Sequence, residues 1–203
     1  MRIGILALQG SFVEHAEVLN ALQAETVLVK KPEHLENLDG LIIPGGESTT
    51  IWKLIIAFNL REKLVHWGRS GLPIYGTCAG LILLSEKVLD SEQESLGLIG
   101  ITAKRNAFGR QLDSFEESLS IPILGEEPFN AVFIRAPLIV QTGPAVKILA
   151  KLKNGMMVAA QEKNTIVSAF HPELTGDIRF HKYFLEIAAK FRHSMGHQVS
   201  NAE

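Results

Sequence analysis

Apolar positions along this chain follow two rhythms, and the change falls near the middle. In the first half, short unbroken apolar runs alternate with stretches whose apolar residues recur at helical spacing. Residues 3–8 are such a run, stopping at Gln9-Gly10, and predict a strand buried on both faces. Phe12, Ala16, Leu19 and Leu22 then share one helical face, with Glu14, Glu17 and Asn20 between them. Ser11 is placed to cap that helix, and Glu14, three residues on, completes a capping box. Residues 26–29, 40–43 and 73–75 predict further strands. Helices are expected from Ser48 or Thr49, over residues 60–67, and over residues 79–84. Strand alternating with helix implies a parallel sheet covered on both faces.

The second half reads differently. Residues 99–103, 119–123, 131–134, 146–152, 156–160 and 166–170 are short strand-like runs with little helical pattern between them. They predict an antiparallel extension of the same sheet. Phe180, Phe184, Ile187 and Phe191 mark a closing helix, and the polar tail from His193 is expected to fray. The irregular stretch 106–118 is long for a compact domain, which points to a functional or mobile loop. The fold expected is a single α/β domain over residues 1–191. It is an open, mixed, mostly parallel sheet flanked by helices, with 192–203 as a tail.

Composition narrows the function classes. A length of 203 residues suits one domain with a full core. The net charge of −2 gives no basic face for nucleic acid. The apolar run at the N-terminus is too short for a signal-peptide core or a membrane span. A single cysteine cannot close an internal disulfide, so a cytoplasmic setting is expected. One cysteine and scattered histidines make no zinc signature, and neither a metal nor a cofactor is expected.

That one cysteine carries the chemistry. Gly76-Thr77-Cys78-Ala79-Gly80 follows a predicted strand and precedes a predicted helix. This is the G-x-nucleophile-x-G elbow with cysteine in place of serine. The glycines allow a tight strand-to-helix turn, the helix start favours a thiolate, and the Ala79 amide is placed for an oxyanion. An arbitrary lone cysteine is a small buried hydrophobe, and it is the elbow context that argues otherwise. A thiol nucleophile needs a base, and the base an orienter. His171 follows a strand-like run, Pro172 keeps it extended, and Glu173 is close enough to orient the imidazole. The other histidines, at 15, 34, 66, 181, 193 and 197, read as solvated surface.

Pro44-Gly45-Gly46-Glu47-Ser48-Thr49 also follows a strand, and its paired glycines let backbone amides approach a ligand. A phosphate loop is the weaker alternative, since no Gly-Lys-Ser/Thr triplet follows. Gln9-Gly10, Gly45-Gly46, Cys78 and His171 all sit at predicted strand ends. In an open α/β sheet they can converge on one edge. Without family knowledge this yields a Cys-His-Glu acyl-transfer enzyme.

GTCAG, PGGEST and FHPE together resemble the class I (triad) glutamine amidotransferases. ALQG at 7–10, RNAFGRQ at 105–111, FIRAP at 133–137 and FHPEL at 170–174 are similar, more narrowly, to the PdxT/SNO family. That family comprises the glutaminase subunits of pyridoxal 5′-phosphate synthase, and the likeness runs from residue 1 to about 190. The resemblance implies a flavodoxin-like sheet and hydrolysis of L-glutamine to glutamate and ammonia. It implies that the ammonia passes to a (β/α)8-barrel synthase subunit. Cys78 is then the nucleophile, His171 the acid–base and Glu173 its orienter. Gly46, Glu47, Ser48, Arg105, Ile134 and Arg135 bind glutamine. Gly45, Gly46 and Ala79 form the oxyanion hole, and Gln9 and Gly10 lie toward the partner. Arg135 is expected in an apolar strand, a poor place for a merely solvated charge. Arg105 begins the long loop, where solvation is easy. The alternatives are an amidotransferase of another pathway, an elbow-cysteine hydrolase or chaperone of related fold, and a regulatory subunit with a vestigial site.

Overall fold

The computed structural model describes residues 1–89, 91–105 and 114–200. In the first half, β1 (Arg2–Leu6), β2 (Glu25–Val29), β3 (Gly40–Ile43) and β4 (Ile74–Thr77) alternate with α1 (Phe12–Ala21), α2 (Ser48–Ala57) and α3 (Arg61–Arg69). α4 (Ala79–Leu84) leaves the end of β4. β5 (Ser85–Leu89), β6 (Ile99–Lys104), β7 (Ser114–Leu119), β8 (Phe129–Ile134), β9 (Leu138–Thr142), β10 (Lys147–Lys151), β11 (Met157–Glu162) and β12 (Thr165–Ser168) follow. α5 (Arg179–Ser200) closes the chain.

The ten-stranded main sheet runs β2-β1-β3-β4-β12-β11-β9-β6-β5, with β10 beside β11. β2, β1, β3, β4 and β12 are mutually parallel; β3, β4 and β12 are buried along their whole length, and β2 is the partly exposed edge strand. Antiparallel pairing of β11 with β12, β9 with β11 and β6 with β9 supplies the expected extension. The extension differs from expectation in three ways. β12 returns to the centre and pairs in parallel with β4. β5, to which the sequence reading assigns no element, pairs in parallel with β6. β7 and β8 leave the sheet altogether and form a separate antiparallel hairpin.

Local chemistry explains the shifted boundaries. The run at 119–123 is not a strand, because β7 stops at Leu119 and Pro122 opens a single 3-10 turn. Proline has no N–H for a ladder. Residues 114–118, assigned to the irregular stretch, lie in β7, where Phe115 stacks on Phe133 of β8. Residues 106–113 of that stretch lie outside the described residues. α5 packs by its aromatic face: Phe180 and Phe184 are fully buried, and Tyr75 of β4 stacks on Phe180. This anchors α5 behind the ends of β4 and β12, where the candidate chemistry lies.

Candidate active site

Cys78 sits between β4 and α4 with φ 48° and ψ −99°, a left-handed conformation that costs a non-glycine residue strain. The flanking glycines make the turn possible. A Cβ on Gly76 would stand 2.6 Å from the Gly80 carbonyl carbon, and one on Gly80 would strike the Ile43 carbonyl oxygen. Cys78 is buried, and its Sγ donates to the Ile134 carbonyl at 3.8 Å.

His171 is brought to Cys78 by sheet register. Thr77 and Ser168 are opposite one another in β4 and β12, and the Cys78 N–H donates to the Ser168 carbonyl at 2.8 Å. The His171 N–H donates to Val132 O at 2.8 Å, which ties the β7–β8 hairpin to this edge. Pro172 opens a 3-10 turn, Pro172–Leu174, that folds Glu173 back onto the imidazole. His171 Nδ1 lies 2.7 Å from Glu173 Oε1. Burial opposes charge on His171, but hydrogen bonds to Cys78 and Glu173 and the attraction of both raise its pKa to about 10. Burial likewise opposes ionisation of Glu173. The hydrogen bonds from His171 and Ser11 and the charge on His171 outweigh it and hold the carboxyl below the usual carboxylate range.

Two expectations about this region are corrected. Ser11 makes no side-chain cap on α1. Its hydroxyl donates to Glu173 Oε1 at 2.6 Å, a charge-assisted hydrogen bond to a buried carboxylate. His15 and His181 are not surface residues. Both are fully buried, with His15 Nδ1 2.9 Å from His181 Nε2 and His15 Nε2 3.1 Å from Thr77 Oγ1. The polar helix face that suggested solvent for His15 is its own helix's, whereas the ring packs against residues distant in sequence.

A cavity of about 420 Å³ opens in front of the thiol. Cys78, Ala79 and His171 form its floor, and Gly46, Glu47, Ser48, Ile134, Arg105, Arg135 and Gln9 its walls. The Gly45 carbonyl is turned away to accept from the Ser11 N–H at 3.0 Å, and a Cβ on Gly45 would collide with the His171 ring. Gln9 Oε1 accepts from the Glu47 N–H at 2.8 Å, joining the loop after β1 to the loop after β3. Glu47 caps α2 by accepting from the Thr49 and Thr50 N–H groups. Burial works against its charge, but the hydrogen bonds from Thr50 and Thr49 bring its pKa to about 2.

Arg105 is held rather than loosely solvated. It donates to Glu47 Oε1 at 3.2 Å, Thr49 Oγ1 at 3.1 Å and Gln93 Oε1 at 3.3 Å. Gln93, which also accepts from Ser48 Oγ at 2.9 Å, carried no motif by which sequence reading could find it. Arg135 corrects a further expectation. β8 ends at Ile134, and Arg135 lies in the following bend, exposed, with φ 43°. Among the described residues its guanidinium has no ion pair or hydrogen bond, yet it lines the cavity. The remainder of RNAFGRQ, residues 106–111, lies outside the described residues. Among the described residues no group of histidine, cysteine and carboxylate side chains is arranged to hold a metal ion. Nor is any described helix long and apolar enough to cross a membrane.

A mixed, mostly parallel sheet with a cysteine at a strand-to-helix elbow, beside a buried histidine–glutamate pair, is the arrangement expected of a triad glutamine amidotransferase. Within that class the chain belongs to the SNO glutamine amidotransferase family, whose model matches residues 5–190. It is 57% identical over 186 residues to the pyridoxal 5′-phosphate synthase subunit PdxT of Pelotomaculum thermopropionicum, covering 92% of this chain and 94% of that protein. The PdxT protein of Herpetosiphon aurantiacus is 54% identical over 188 residues, covering 91% and 99%. A crystal structure of a glutamine amidotransferase superposes with a TM-score of 0.87 at 45% identity, covering 92% of this chain and 98% of that one. PurLQS from Thermotoga maritima, at 13% identity and a TM-score of 0.68, covers 91% and 97% and shares the fold.

Proposed function

We propose that this chain is the glutaminase subunit of a pyridoxal 5′-phosphate synthase. Its domain, residues 1–191, hydrolyses L-glutamine and passes the ammonia to a (β/α)8-barrel synthase subunit. The reading rests on family membership and on the named relatives. The observation that carries it is the line Cys78–His171–Glu173 opening on a cavity walled by Arg135, whose guanidinium has no ion pair among the described residues. The setting is cytoplasmic, and no cofactor or metal takes part.

In this mechanism the Arg135 guanidinium receives the substrate carboxylate, and Glu47, Ser48, Gly46, Arg105 and Ile134 complete the site. The Cys78 thiolate attacks the side-chain carboxamide carbon. The tetrahedral oxyanion is met by backbone N–H groups of the Gly45-Gly46 segment and Ala79. With a pKa of about 10, His171 holds a proton at neutral pH and donates it to the departing nitrogen. Ammonia leaves and a glutamyl thioester remains. His171 then removes a proton from water, whose attack releases glutamate and restores Cys78. Glu173 orients the imidazole throughout.

The barrel docks on the side of Gln9 and Gly10. Gln9 is bonded to the Glu47 N–H, so movement of residues 9–10 is transmitted to the oxyanion loop. Activity is therefore expected to depend on the partner. The deciding assay is glutamate release from L-glutamine, with and without the barrel subunit, for wild type and Cys78→Ala. Release that needs both the barrel and Cys78 supports substrate, nucleophile and partner together. No release beside an active barrel overturns the assignment.

A further inference from the structure

His15 lies wholly buried on α1, outside the cavity, and the mechanism above assigns it no task. Its ring nevertheless meets three groups that matter. Nε2 is 3.1 Å from the hydroxyl of Thr77, the residue before the nucleophile, and 3.5 Å from Glu173 Oε2. Nδ1 is 2.9 Å from His181 Nε2 on α5. Glu173 Oε1 already takes Ser11 and His171, whereas Oε2 has no hydrogen bond among the described residues.

The contacts decide the tautomer. Two ring nitrogens at 2.9 Å share one proton. Were it on His15 Nδ1, the His15 Nε2 lone pair would face the carboxylate. Neutral His181 would then carry its proton on Nδ1, which has no partner among the described residues. A buried, unpaired N–H is costly. If His181 donates from Nε2 instead, His15 carries its proton on Nε2, aimed at Thr77 and Glu173. His181 Nδ1 is then a bare lone pair. That arrangement strands no donor and sets no lone pair against the carboxylate.

We propose that His15 is a positioning residue for the glutaminase reaction: its Nε2–H, in a tautomer fixed by His181, bonds the Thr77 end of the nucleophile elbow and presents its positive edge to the free oxygen of Glu173, 3.5 Å away. This rests on the function proposed above. Freed from His15, the Glu173 carboxylate can rotate, and Oε1 no longer holds His171 Nδ1 in line. Substrate binding is untouched, because His15 does not line the cavity. Burial keeps both rings neutral: His15 is lowered, and His181 is lowered to about 3. The other titratable groups facing the pair are Glu173 and His171 beyond β12, Glu14 on α1 and Tyr75 on β4.

The test compares His15→Gln with His15→Asn in the complex with the barrel. A glutamine amide reaches the place of Nε2; an asparagine amide reaches only that of Nδ1. Loss of the Thr77 hydrogen bond together with the N–H facing the carboxylate is expected to cost roughly 10–100-fold. His15→Asn should therefore lower kcat by about that factor with KM unchanged, and move the alkaline limb of the kcat profile to lower pH. His15→Gln should restore most of kcat. Equal loss in both variants, or full activity and an unmoved profile in a folded His15→Asn, overturns the proposal. Wild type without glutaminase activity overturns the function instead. Nitrogen-15 histidine spectra of the wild-type protein then decide on their own. A neutral His15 protonated on Nε2 supports the proposal, and an Nδ1–H or charged ring overturns it.

Discussion

Thr77 and Ser168 stand opposite each other in neighbouring parallel strands, and that single register pair places the nucleophile against its base. Cys78 is the residue after Thr77, and its N–H is fixed to the Ser168 carbonyl. His171 is three residues beyond Ser168, past the bend at Ala169 and Phe170. A one-residue slip between β4 and β12 would exchange the sheet faces and part the two side chains. The meeting of nucleophile and base is therefore a property of β4 and β12, both fully buried.

The strained Cys78 backbone predicts an inverted order of stability. At ordinary positions glycine is less stable than alanine. At φ 48° the order should reverse, with Cys78→Gly about 1 kcal/mol more stable than Cys78→Ala. Both variants lose glutamate release. Urea unfolding of the two measures the difference, and an alanine variant as stable as the glycine one would show that the elbow holds no strain.

Arg135 should control binding rather than turnover. Its loss removes a charge-assisted contact to the substrate carboxylate, so Arg135→Ala is expected to raise KM roughly 10–100-fold. The kcat should stay within about threefold, since no bond changes at that carboxylate. Arg135→Lys falls between, being a point charge without the planar fork. Steady-state kinetics over a wide glutamine range would show the split, and a fall in kcat alone would rule out this role.

Most of the central architecture was legible because buried parallel strands are continuous apolar runs, and the motif-bearing turns follow them. Cys78, His171 and Glu173 could be read from one elbow and one His-Pro-Glu. The second half was harder. β5 has exposed Glu86 and Lys87, and no periodicity separates it from the end of α4. The parallel return of β12 to β4 is a long-range pairing with no local signal. His15, His181 and Ser11 were misread for one shared reason. Their partners lie far away in sequence: a histidine on a helix looks solvated, and a serine before a helix looks like its cap, until the opposite wall is known. Gln93 was missed because a lone amide carries no pattern.

Acid should unfold this protein through its interior. A histidine whose folded pKa is depressed is neutral in the fold and protonated in the unfolded chain below 6.5. Its contribution is present above 6.5 and is lost as pH falls toward the folded value. His181, at about 3, and His15, also lowered, act in this window. Glu173, at about 2, adds a loss below 4.5. The stability slope from each histidine approaches about 1.4 kcal/mol per pH unit. His171, raised to about 10, acts oppositely: its contribution is complete below 6.5 and disappears as pH rises through 10. Urea midpoints across pH 4–11 should be highest near neutrality. In His181→Leu the fall between pH 6.5 and 4 should be shallower, and an unchanged slope would mean that His181 titrates normally.

Gly45 offers the sharpest test of the geometry beside the base. Its Cα faces the His171 ring so closely that an added methyl would overlap Cε1, and its carbonyl is tied to the Ser11 N–H. The loop after β3 is thus clamped between α1 and the imidazole. In Gly45→Ala either the ring or the loop must move. Displacing a catalytic group by about 1 Å costs on the order of 100-fold in rate. The expectation is a kcat loss of that order, with thermal stability lowered by only a few degrees because one loop absorbs the shift. Gly176→Ala serves as the comparison, since an added methyl there meets nothing within 4 Å. It should match wild type in both rate and melting temperature. Equal kcat in the two alanine variants would mean that the loop yields without disturbing His171, and that Gly45 is conformational convenience alone.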